Sequence, residues 1–127
     1  MALFIGLRPW STRGPQIEFD TDAGIIDLHN DARIVRLTIA PESSTLTLAF
    51  VYYGDWEEPD VDERVVELEF GGIKNLKLEL PADYEPRAAT TLEGILYQNI
   101  SGQSFFDVDM GDIQCSLIAE TLTLRDV

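Results

Sequence analysis

A chain of 127 residues, 45% of them hydrophobic, is long enough to bury one core and too apolar for a disordered tail. Its 23 Asp and Glu face nine Lys and Arg, a formal net charge of -14, which repels nucleic-acid phosphates and anionic membranes and draws in basic proteins. Cys115 is alone and closes no internal disulfide. The apolar stretch Met1 to Leu7 is too short for a membrane span, lacks a basic lead and runs straight into Arg8-Pro9-Trp10, so a cytoplasmic protein is expected.

The first 30 residues are the least regular. Leu3 to Leu7 and Gln16 to Asp20 each suit a strand, separated by Pro9 and Gly14-Pro15. From there period-two alternation dominates. Val35, Leu37 and Ile39 alternate with Arg36 and Thr38, Pro41-Glu42-Ser43-Ser44 supplies a turn, and Leu46, Leu48, Phe50 and Tyr52 return on one parity. These runs predict a β-hairpin with one apolar face. Gly54 to Asp62 is a polar loop.

A second hairpin is expected next, with Val66, Leu68 and Phe70 on one face and Glu67 and Glu69 on the other. Gly71-Gly72 would make its turn, and Leu76, Leu78 and Leu80 its return, with lysines pairing the acids across the solvent face. Pro81 to Ala89 reads as a loop. Thr90-Thr91-Leu92-Glu93 fits a capping box, and Leu92, Ile95 and Leu96 have helical spacing, which admits one short helix. Gly94 weakens that helix, and an irregular strand is the alternative. After a turn at Ser101-Gly102, Phe106, Val108 and Met110 alternate with Asp107 and Asp109, and Gly111-Asp112 turns the chain once more. Ile113, Cys115, Leu117 and Ala119 open a final long strand. Leu122 and Leu124 fall on the other parity, so a β-bulge near Ala119 to Thr121 is expected. The whole predicts one mainly β domain over residues 1–127: an antiparallel β-sandwich or partly closed barrel built of hairpins, with at most one short helix.

Few residues suggest chemistry. His29 is the lone histidine, and no nucleophile with a supporting group accompanies it; a turn set by Asn30 and Asp31, with His29 bonded to backbone, is expected instead. Cys115 lies between Ile113 and Leu117 on one face, the setting of a small core residue with a raised pKa. No phosphate-binding glycine loop, CxxC, HExxH or basic aromatic patch occurs, so no enzyme activity, cofactor or nucleic acid is expected. The most unusual stretch is Asp55 to Glu63. Asp55, Glu57, Glu58, Asp60 and Asp62 surround Trp56, the arrangement of an aromatic hot spot ringed by charge, and these six residues are the expected partner-binding site. Calcium is the other use of such carboxylates. Pro59 stands where an EF-hand loop needs glycine, and Asp107 and Asp109 read as the solvent face of a strand, so no metal site is expected.

A family pattern also runs through the chain. The order His29-x-Asp31-Ala32, Leu46-Thr47-Leu48-x-Phe50, Val66-x-Leu68-x-Phe70-x-Gly72-Ile73-x-Asn75-Leu76 and Gly111-Asp112-Ile113-x-Cys115 resembles small bacterial β-rich immunity proteins of polymorphic toxin systems, and related families of unknown function. The likeness spans residues 28 to 125. It implies a cytoplasmic, non-enzymatic protein that protects its producer by binding a cognate toxin; the shared positions are structural, and no functional residue is carried over. The expected partner is therefore a basic protein, a toxin domain, with the chain a monomer or weak homodimer. A β domain binding a small molecule or divalent metal is the alternative.

Overall fold

In a computed structural model of the chain, residues 2–10, 14–53, 64–86 and 90–127 are described. Two sheets stack face to face. The first holds five strands in the order β1-β11-β6-β5-β4, formed by Leu3–Ile5, Thr121–Asp126, Arg64–Gly71, Thr45–Tyr52 and Ala32–Ala40. The second holds four in the order β7-β10-β9-β8, formed by Lys74–Glu79, Ile113–Ile118, Gln103–Met110 and Gly94–Ile100. A separate hairpin joins β2 (Glu18–Thr21) to β3 (Gly24–Asp27). Pairing is antiparallel except between β1 and β11, which run parallel. The fold is thus a mainly β, open sandwich, and among the described residues neither sheet closes into a barrel.

The alternating side chains meet between the sheets. Leu46, Leu48 and Phe50 of β5, Val66, Leu68 and Phe70 of β6, and Leu122 and Leu124 of β11 face Phe106, Val108, Cys115 and Leu117 of the other sheet, all buried. Phe70 and Phe106 meet edge to face at 5.2 Å, and Phe4 of β1 meets Tyr97 of β8 at 5.4 Å. With β1 over β8 and β6 over β9, the strand orders leave β4 and β7 together at the opposite side.

The two sides are finished differently. On the β1 and β8 side the N-terminal segment laces the sheets: β1 pairs with β11, and Gln16 bridges Ile95. Trp10 fills the gap beside Phe4, Phe19 and Tyr97. Ser104, buried, accepts the Ala2 amide at 2.7 Å and donates to Asn99 at 2.6 Å, whose amide in turn donates to Tyr97 Oη. On the β4 side, among the described residues, the free edge is met only at Ile34, by Thr90.

Several local expectations change. The β4–β5 and β9–β10 hairpins form as read, but β6 and β7 are not a hairpin. Gly71 to Ile73 carries the chain from one sheet to the other, so Glu67 and Glu69 face Arg125 rather than lysines. Similarly, Ala119 and Glu120 are no bulge in one long strand: β10 and β11 belong to different sheets. A crossing segment has core on both sides, which is why Ile118 and Ala119 are buried in succession. The short helix near Leu92 does not form. Residues from Gly94 pair with β9, Leu92 and Ile95 are fully buried, and this packing overrides the capping pattern. Within β4 the register shifts between Ile34 and Arg36, so Ile34 turns inward and Val35, expected in the core, is 48% exposed.

Candidate interaction surfaces

His29 sits in a turn built by its neighbours. The Asp27 carboxylate accepts the His29 and Asn30 amides at 2.9 and 2.8 Å and the Asn30 side chain at 2.8 Å. Burial pushes that carboxyl up, but the bonds from Asn30 and His29 outweigh it and hold its pKa below 3.8. Nδ1 of His29 lies 2.7 Å from the Leu92 carbonyl, an acceptor only, which places the ring proton on Nδ1 in the neutral form. The ring therefore ties the turn to the β8 approach. Asp27, more than Asn30 and Asp31, sets the turn.

Cys115 is buried on the inner face of β10. Desolvation, with the Asp107 carboxylate nearby, pushes its thiol up to about 11. Such a thiol is a poor nucleophile at neutral pH. Among the described residues no three His, Cys, Asp or Glu side chains converge to hold a metal. Asp107 and Asp109 project to solvent from β9, and Asp109 Oδ1 accepts the Gly111 amide and the Gln114 side chain. No helix among the described residues is long and apolar enough to cross a membrane.

The expected partner-binding residues Asp55, Trp56, Glu57, Glu58, Asp60 and Asp62 lie outside the described residues. Their flanks are well placed. Tyr52 and Arg64 form the last pair of the β5–β6 ladder, so both ends of the segment leave from adjacent strand ends. Arg64 stacks over the Tyr52 ring at 4.8 Å and Arg33 over Tyr53 at 5.3 Å, with the Arg33 guanidinium donating to Tyr53 Oη.

Charge is arranged unevenly over the sheets. On the outer face of the five-stranded sheet, Arg36, Glu67, Arg125 and Glu69 form a line across β4, β6 and β11, with Arg125 within 3.0 Å of both glutamates and Arg36 at 3.8 Å from Glu67. Elsewhere Arg8 pairs with Asp20 at 2.7 Å, Arg64 with Asp126 at 3.6 Å and Lys77 with Glu79 at 2.9 Å. These cations are matched by acids of their own surroundings, so the acids in excess define the long-range field.

One surface is mainly apolar. Beside β4 lies a groove of about 490 Å³, with Ile34, Val35 and Leu37 along one wall, Tyr84 and Pro86 opposite, and Met110 and Ile113 beneath. Among the described residues, the charged ones that line it are Arg33 and Arg36. Sequence reading missed it, although adjacent Ile34 and Val35 between two arginines break the alternation and mark the bulge that opens it.

The sequence matches no family model and no curated protein. In structure the chain is similar to an uncharacterized protein from Neisseria gonorrhoeae, with a TM-score of 0.51 and 18% identity over 76% of this chain and 92% of that one. The similarity concerns the fold.

Proposed function

We propose that the chain is an acidic, non-enzymatic protein-binding domain, an immunity protein that neutralises a basic toxin domain by covering its substrate site. The observation that carries this reading is the charge: 23 acids against nine bases, on a rigid sandwich whose described arginines and lysines are largely paired with its own acids. The remaining acids attract and steer a cationic partner. The resemblance of residues 28 to 125 to immunity proteins points the same way. The contact is assigned to segment 54–63, with Trp56 as anchor and Asp55, Glu57, Glu58, Asp60 and Asp62 around it. The paired strand ends Tyr52 and Arg64 flank that segment.

The test is binding and neutralisation of a toxin encoded beside this gene. Trp56→Ala should raise the dissociation rate about thirtyfold, the scale of a 2 kcal/mol hot spot. Neutralising the five acids should slow association and flatten its salt dependence. A neighbouring toxin that the protein neither binds nor blocks removes the reading.

A further inference from the structure

We infer that the groove beside β4 is a second docking site, which takes an extended segment of a partner chain alternating apolar and acidic side chains, as an added strand. Three observations converge there. β4 is an edge strand, and beyond the Ile34–Thr90 bridge no strand among the described residues pairs with its outer side. Its backbone donors and acceptors between Val35 and Ala40 are therefore a template for another strand. Thr90 already accepts the Ile34 amide at 2.6 Å, in the position the first residue of such a strand would continue.

The groove supplies what an added strand needs on its two faces. Inward side chains meet the apolar wall and floor at Leu37, Met110 and Ile113, while Val35 and Ile39 remain 48% and 40% exposed along the edge. A volume of about 490 Å³ falls in the ~300–1,000 Å³ range of ligand sites. Outward side chains of the added strand emerge beside Arg33 and Arg36, which point to the outer face of the sheet. Among the described residues Arg36 keeps one long 3.8 Å pair with Glu67, and its side chain is 63% exposed, so its guanidinium can also reach a bidentate carboxylate from an added strand.

Charge complementarity therefore selects acidic side chains. The chain's overall negative field opposes such a partner at a distance. Physiological salt screens that field beyond ~8 Å, and the two arginines act within that range. This polarity is opposite to that of the proposed toxin contact, and the inference does not rest on that contact.

The experiment uses the full chain and two capped eight-residue peptides, one alternating Val and Glu, the other Val and Lys. Amide shifts are followed by NMR, and sedimentation gives the oligomeric state of the protein alone. The Val/Glu peptide should shift the amides of residues 33 to 40 and of Tyr84. Arg36→Glu should weaken it about tenfold, the scale of one charge-assisted hydrogen bond. Ile39→Pro, which removes a donor on the outward side of β4 because Ile39 pairs with Leu46 on the parity that Ile34 has with Phe50, should weaken it as well while the melting curve confirms the fold. Three results would overturn the inference: no shift at millimolar peptide, equal binding of the Val/Lys peptide, or a concentration-dependent dimer that covers the same amides, which would make a second copy the occupant.

Discussion

Two glycines with the same backbone conformation give a direct measure of how firmly the N-terminal strand is locked in place. Gly6 has φ +82 and Gly102 has φ +83, in the left-handed region where an L residue costs roughly 1–2 kcal/mol. Their surroundings differ. A Cβ at Gly102 meets nothing within 4 Å, whereas at Gly6 it would fall on the Leu124 carbonyl, a backbone atom of the strand that β1 pairs with. Gly102→Ala should therefore lose only the conformational term. Gly6→Ala must add the clash or relieve it by lifting β1 away. Lifting gives up three parallel pairs and loosens Phe4 from Trp10 and Tyr97, both at 5.4 Å, worth about 2 kcal/mol in apolar burial alone. The expected losses are about 1 kcal/mol for Gly102→Ala and about 3 kcal/mol or more for Gly6→Ala. Urea unfolding of both variants reads the difference, and amide exchange at Phe4 and Ile5 shows where it falls. If the two variants agree within about 0.5 kcal/mol, β1 contributes little and the lacing of the sandwich by its N-terminal segment is mistaken.

Ser104→Ala leaves the Ala2 amide and the Asn99 carbonyl without their buried partner and should cost about 1–3 kcal/mol, read as a lower melting temperature. Raising the Cys115 pKa from 9.0 to about 11 lowers its thiolate about a hundredfold at pH 8, so iodoacetamide should label the folded protein far more slowly than the urea-unfolded chain. That raised pKa also means stability held below pH 9.0 and lost as the pH climbs towards 11, which Cys115→Ala should remove from the alkaline limb. Asp27 has the opposite sign: its folded pKa lies below 3.8, so its stabilisation is present above that pH and lost as the pH falls through the folded value. Asp27→Asn should flatten urea midpoints measured from pH 5 to pH 2.

The strands were largely legible because each carries its own period of two, as in Phe106, Val108 and Met110, or Leu46, Leu48 and Phe50. Their partners were not. Nothing local distinguishes Gly71-Gly72 as a crossing between sheets from the same pair as a hairpin turn, because both uses need a permissive backbone. A parity change carries a comparable ambiguity. The shift between Leu117 and Leu122 was visible, but a bulge and a change of sheet produce it alike; two consecutive buried residues, Ile118 and Ala119, are the sign that favours the crossing. The Leu92 to Leu96 region failed differently, since capping chemistry lost to the burial of Leu92 and Ile95 against the other sheet.

Site legibility divides along the same physical line. Net charge is a property of composition, so the proposal of a cationic partner rests on the sequence without any fold. A groove depends on which strand lies at an edge, and that is fixed by pairing between distant segments. Arg33 and Arg36 come to line one groove only because β5 occupies one side of β4 while Tyr84, Pro86 and Thr90 face part of the other. The bulge at Val35 then matters twice. It blunts part of an edge that would otherwise invite indiscriminate pairing, and it turns an apolar side chain outward where a chosen strand can use it. The same local irregularity thus guards the sandwich against aggregation and sets the terms on which another chain joins it.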